Sequence, residues 1–121
     1  MNVFTGYFEK VEDYISRGLV SIGIAGKSPC NFNGLEYKKL APKRFIYDNY
    51  IQSGDSEAYS KDYFYYVLDK LDAEVVLNEL KQLANNKDFI LLCYEKPNQF
   101  CHRHLVAYWL KSELGIELSE L

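Results

Sequence analysis

The sequence predicts a single α/β domain: a small parallel, or mostly parallel, sheet of three to four strands packed by helices. Three observations carry this. Asp88-Phe89-Ile90-Leu91-Leu92-Cys93 is a short, continuous apolar run between Asn85-Asn86-Lys87 and Pro97-Asn98, the pattern of a strand covered on both faces. Leu19-Val20-Ser21-Ile22-Gly23-Ile24-Ala25 is a second such run. It is separated from a first strand, Val3–Phe8, by ten residues of helical pattern, as in a right-handed parallel crossover. At 121 residues the chain is long enough for one core, and no repeat or linker divides it.

The elements follow in order. After the first strand, Glu9 to Arg17 reads as a short helix with Val11, Tyr14 and Ile15 on one side and Gly18 at its end. The second strand leads into a loop rich in Gly, Asn, Ser and Pro, Gly26 to Gly34, which carries Cys30. Pro42 suits the start of a helix running to about Gln52, with Phe45, Ile46, Asn49 and Tyr50 inward, stopped by Ser53-Gly54. Asp55 caps a longer helix from Ser56 to about Lys70, with Phe64, Val67, Leu68 and Leu71 as its apolar stripe and tyrosines on both flanks. Those tyrosines read as core edge rather than a base-stacking platform, because no basic groove accompanies them. Asp72 caps a helix from Ala73 to Ala84 with Val76, Leu80 and Leu83 inward. The Asp88–Cys93 strand follows, then a tight loop and a helix whose apolar face is Leu105, Val106, Trp109 and Leu110. Gly115 to Leu121 is acidic and expected to fray.

Reactive side chains gather where the last long strand ends and the last helix begins. A helix N-terminus offers free N–H groups and the positive end of the dipole, so a thiol at Cys101, beside Arg103, is expected to ionise readily. Arg103 is a forked donor suited to phosphate or carboxylate. Glu95 places a carboxylate on the loop, Cys93 a second thiol at the strand end, and His102 an imidazole able to move protons near neutral pH. Plainer readings stand beside these: Cys93 as a small core residue, His102 bonded to a backbone carbonyl, Arg103 paired with Glu95 to hold the loop shut, and His104 solvated beside Tyr108 and Lys111. Cys30 is a further candidate for the same place. Lys38, Lys39, Lys43 and Arg44 form the densest basic cluster, either a solvated loop or an electrostatic lip that draws an anion.

Cys93-Tyr94-Glu95-Lys96-Pro97 followed by Cys101-His102-Arg103-His104-Leu105-Val106-Ala107 resembles the signature of a family of bacterial, archaeal and phage proteins, domain of unknown function 488. Thr5-Gly6-Tyr7-Phe8 and Tyr37-Lys38-Lys39-Leu40-Ala41-Pro42 fit it too, so the similarity extends to about Leu114. Gly6 stands where the family more often has serine. The resemblance implies a small cytoplasmic α/β protein and carries over no established activity. The positions matching its motif are Cys93, Glu95, Cys101, His102 and Arg103. The strand–loop–helix shape is similar to that of cysteine phosphatases and rhodaneses, but their short Cys-to-Arg spacing is absent.

The residues support a ligand-binding domain or small enzyme, with the ligand beyond the carboxyl ends of the strands. Cys101, His102, Glu95 and Cys93 are the candidate catalytic residues; Arg103, Lys96, Tyr7, Lys38 and Lys39 are the candidate ligand-binding ones. The expected partner is an anionic small molecule or nucleotide, and no cofactor is called for. One alternative is a zinc site of Cys93, Cys101 and His102, with Cys30, although the spacing matches no familiar zinc pattern. Another is a non-enzymatic interaction module using Lys38 to Arg44. A net charge of −3 argues against nucleic acid as a broad nonspecific partner. No apolar run is long enough for a membrane, and three cysteines do not make a disulfide framework, so a reducing cytoplasm is expected.

Overall fold

The computed structural model describes residues 2–121. They form one α/β unit around a five-stranded sheet in which every pairing is parallel. Strands β1 (Val3–Tyr7), β2 (Val20–Gly23), β3 (Leu35–Glu36), β4 (Phe89–Cys93) and β5 (Ser119–Glu120) lie in the order β3-β2-β4-β1-β5. The three predicted strands are thus the three central ones, and β4 sits between β1 and β2. Its five residues are all buried, which is why their sequence does not alternate. Phe89 and Leu91 enter the main core with helices α2 (Arg44–Ser53), α3 (Ser56–Tyr66), α4 (Ala73–Leu83) and α5 (His102–Leu114). Ile90 and Leu92 enter a smaller cluster with Phe8 and with Tyr14 of α1 (Val11–Ser16). Each fully buried aliphatic side chain contributes about 2 kcal/mol, so the strand is pinned from both faces.

Local chemistry sets the ends. Asp55 accepts from the Ala58 N–H at the start of α3, and Asp72 from the Glu74 and Val75 N–H groups at the start of α4. Asn85 and Asn86 both adopt positive φ and turn the chain out of α4 into β4. Gly6 is explained by Tyr14: a Cβ at Gly6 would lie 2.6 Å from the Tyr14 hydroxyl and 2.8 Å from Ile90 Cδ1. The small residue lets α1 press its tyrosine onto β1, where the Tyr7 N–H donates to that hydroxyl.

Three expectations need correction. Gly115–Leu121 does not fray. Gly115 turns the chain at φ 69°, Ile116 and Leu118 pack on the core, and Ser119 and Glu120 pair with Phe4 and Thr5 as β5. The loop expected at Gly26 to Gly34 is present and leads into the further short strand the fold allowed, β3. The predicted long helix stops at Tyr66, and a 3-10 turn carries Leu68–Lys70. Within α3 the buried residues are Tyr59 and Tyr63, while Phe64 is only partly buried, so these two tyrosines are core, and Tyr65 and Tyr66 are the exposed ones. The Tyr63 hydroxyl donates to the Leu40 carbonyl at 2.5 Å, which allows a phenol to be fully buried there.

Candidate functional site

Parallel pairing brings the carboxyl ends of β1, β2 and β4 to one edge of the sheet, with Tyr7 opposite Cys93 and Gly23 opposite Leu92. The loop 94–100 leaves β4 there and returns to open α5 at the same edge. Cys101 is the N-cap residue of α5, with extended backbone (φ −156°, ψ 146°), and its side chain makes no capping bond. A serine or aspartate at this position would cap the helix; the cysteine leaves its sulfur free for its neighbours. His102, the first residue of the helix, reaches across to the residue that follows β2, with Nε2 2.7 Å from the Ile24 carbonyl oxygen. A carbonyl only accepts, so Nε2 carries a hydrogen and donates it, and Nδ1 is the ring nitrogen that faces inward. That nitrogen faces Cys93 Sγ at 3.5 Å and Cys101 Sγ at 3.9 Å. All three residues are buried, and their two sulfurs and Nδ1 lie within 4.8 Å of one another. Cys93 Sγ also contacts Glu95 Oε2 at 3.6 Å.

The two thiols are electrically unequal. Burial opposes ionisation of Cys101. A hydrogen bond from Cys93, the adjacent His102 and the Arg103 backbone N–H outweigh it and bring this thiol well below its ordinary value. Cys93 moves the opposite way, because it is hydrogen-bonded to Cys101, buried, and faces the charge on Cys101 and Glu95. Cys101 is therefore the thiol that ionises more readily, and Cys93 the one that holds its proton longer. Burial, and then the nearby Cys101 charge, push the Glu95 carboxyl above its usual range. Burial likewise raises the phenols of Tyr59 and Tyr63, which stay neutral donors.

A cleft of about 730 Å³ opens onto this cluster. Its floor is Cys93, Glu95, Cys101 and His102; Tyr47, Tyr50, Ile51, Tyr59 and Phe100 make its walls. Phe100 stacks edge-on against Tyr59 and tilts against Tyr50, their ring centres 5.0 and 5.3 Å away, so three separate segments brace one aromatic wall. Lys27 and Arg44 stand at the rim. Arg44 Nε lies 3.6 Å from Asp48 Oδ2, a loose pair with the arginine 92% exposed.

The cleft gathers all four predicted catalytic residues and none of the predicted ligand-binding ones. Arg103 is fully buried and turned away. It grips Glu120 of β5 through Nε at 3.2 Å and Nη2 at 2.8 Å, so its carboxylate partner is Glu120 and not Glu95. Tyr7 is buried, with Lys10 over its ring. Lys96 is exposed on the loop and does not line the cleft. Lys38 pairs with Glu36 and donates to the Gly26 carbonyl, and Lys39 pairs with Glu79 of α4, so both charges already have exposed acidic neighbours outside the cleft. Cys30 is exposed and outside the cluster. His104 is half-buried rather than fully solvated, and its Nε2 is buried without a hydrogen-bond partner. The histidine–carbonyl bond weighed for His102 is present, and it orients the ring toward the sulfurs. Sequence reasoning missed Lys27 and the aromatic wall, and had Arg44 only as one member of the basic cluster. Pro42, three residues after Lys39 and two before Arg44, was the available signal that the cluster divides at a helix start.

The family model DUF488-N3a, described as "Active DUF488-N3 subclade", matches residues 19–114. No curated protein and no solved structure matches the chain. Among the described residues, no helix is long and apolar enough to cross a membrane.

Proposed function

The chain belongs to the DUF488-N3a family, and from that premise we propose that its cleft binds a small, nucleotide-like anion and acts on it with the floor residues. One observation carries the reading: two cysteine sulfurs, an imidazole and a carboxyl converge on the floor of a single aromatic-walled cleft with two cations at its rim. Sites of this size hold a small molecule through apolar walls and a few directed polar groups. The planar part of the ligand lies against Tyr50, Tyr59 and Phe100, its charge meets Arg44 and Lys27, and its reactive group points to Cys93, Glu95, Cys101 and His102. A reducing, cytoplasmic setting keeps these thiols free. The pairing of Lys38 and Lys39 with acidic neighbours counts against their cluster as the principal binding surface.

Equilibrium titration with inorganic phosphate, mononucleotides and the matching nucleosides tests this. Mononucleotides should bind more tightly than nucleosides, and Arg44→Ala should erase most of that difference, up to about tenfold. Equal affinity for nucleotide and nucleoside, or an unaltered preference in Arg44→Ala, refutes the anionic reading.

A further inference from the structure

We infer that Cys93, Cys101 and His102 form a three-donor site for a zinc-class divalent cation whose fourth position faces the cleft. The inference rests on the cleft reading only for what reaches that fourth position; the cation itself needs no ligand. Tetrahedral zinc with the usual metal–sulfur and metal–nitrogen lengths requires sulfur and nitrogen donors about 3.6 Å apart, and two sulfurs about 3.8 Å apart. The two sulfur–nitrogen edges here are 3.5 and 3.9 Å, and the three donor atoms all lie within 4.8 Å. Only small adjustments would place a cation between them.

The surroundings supply what such a site needs. The Ile24 carbonyl, 2.7 Å from Nε2, fixes the tautomer that leaves Nδ1 free to ligate. This is the outer contact that ligating histidines ordinarily make. Cys101 spends no atom on capping α5, although its position favours residues that do. The donors stand on the end of a fully buried strand and the first turn of a thirteen-residue helix, so the site is braced without the cation. Two sulfurs and an imidazole suit a borderline-soft ion and not magnesium or calcium, which take oxygen ligands. All three residues line the cleft, and Glu95 Oε2 lies 3.6 Å from Cys93 Sγ, next to the remaining position. Three protein ligands and an open fourth place are the arrangement of catalytic rather than structural zinc. A bound cation there would polarise an oxygen of the ligand, with Glu95 beside it to take or return a proton.

The test uses the whole, reduced chain without a histidine tag. Elemental analysis after growth with added zinc should find about one zinc per chain. Replacement by Co²⁺ should produce intense tetrahedral ligand-field bands together with thiolate-to-cobalt charge transfer. Cys93→Ala, Cys101→Ala and His102→Ala should each weaken Co²⁺ by more than about a hundredfold, since outer contacts alone are worth roughly 10–100-fold. Cys30→Ala should change nothing. A weak octahedral cobalt spectrum in the unaltered protein, no retained zinc, or loss of binding in Cys30→Ala overturns the site. The cobalt spectrum of the unaltered chain decides the matter even if a variant fails to fold. Failure here with an intact Arg44-dependent nucleotide preference would leave the cleft reading in place.

Discussion

His102 and Arg103 are neighbours in the chain and have opposite occupations. His102 faces two sulfurs at the floor of an open cleft, whereas Arg103 is sealed against Glu120, itself bonded by Thr5, on the β5 side. One step along a helix turns a side chain by about 100°, and at the start of α5 that step separates the cleft from the closed edge of the sheet. The cleft side keeps polar groups free for an outside partner. The β5 side uses them internally: Glu120 receives Arg103 twice and the Thr5 hydroxyl once at 2.5 Å. Even so, Arg103 Nη1 has no hydrogen-bond partner and is buried, so this region depends heavily on the one carboxylate. The comparison teaches that adjacent residues of one motif can divide between chemistry and architecture.

The largest expected effect comes from stripping the β5 side. Glu120→Ala leaves a buried guanidinium without its counter-charge and should destabilise the fold by about 3–5 kcal/mol, measured by urea unfolding. Nucleotide preference per folded molecule should survive. A near-normal midpoint would show that Arg103 relaxes into solvent and that the contrast between the two sides is overdrawn.

Acid sharpens the same contrast. Burial tends to raise the Glu120 carboxyl, but hydrogen bonds from Arg103 and Thr5 and the Arg103 charge lower it on balance. A carboxyl depressed in the folded state stabilises the protein above its unfolded value, about 4.3. That stability is lost as pH falls through the lower folded value. Between those two values unfolding midpoints should drop more steeply for the unaltered chain than for Glu120→Gln, which no longer carries this proton. Parallel acid limbs for the two proteins would assign the sensitivity to other groups.

How far the sequence shows these two sides follows from their construction. β1, β2, β4 and the Cys93–Cys101–His102 cluster were legible: long apolar runs declare buried strands, and a strand, a short loop and a helix place nearby residues together. β5 was not, because Ser119-Glu120 has no apolar pattern and pairs only once Gly115 has turned the chain and Arg103 needs a carboxylate. Nor was the aromatic wall, since Tyr50, Tyr59 and Phe100 come from α2, α3 and the loop before α5 and meet only in three dimensions. Arg103 was placed in the site by its proximity in the chain to His102, which the helical turn defeats.

Within the cleft, the two thiols should behave as unequally as their charges. In metal-free, reduced protein, a small alkylating reagent should modify Cys101 ahead of Cys93, at a rate that falls less than an ordinary thiol's as pH drops below about 8, because its thiolate forms more readily. Cys93 should resist until far higher pH. Mass spectrometry of peptides from timed samples reads both rates. Modification of Cys93 first would reverse the assignment of the charge.

The smallest effect is expected at the basic cluster, and its smallness is the point. Lys39 contacts Glu79 at 3.0 Å, but the side chains are 55% and 37% exposed, so water competes for both charges. Lys38 holds Glu36 at 3.3 Å under similar exposure and lines a separate recess with Ser28 and Phe32, not the aromatic cleft. Substituting both by alanine should produce no resolvable change in unfolding midpoint. The Tyr37 hydroxyl still donates to Glu79, and the Glu36 carboxylate still receives Ser28. Nucleotide preference should also stay as it is, in contrast to Arg44→Ala, although all three cations belong to the same basic run of sequence. The double variant therefore separates two readings that composition merges. If the cluster acted as one electrostatic surface, removing two of its charges would weaken nucleotide binding at low salt at least as much as removing Arg44, and the difference would fade as salt rises. If the cleft selects its own cation, the double variant will follow the unaltered protein at every ionic strength, and only Arg44→Ala will lose the distinction between nucleotide and nucleoside.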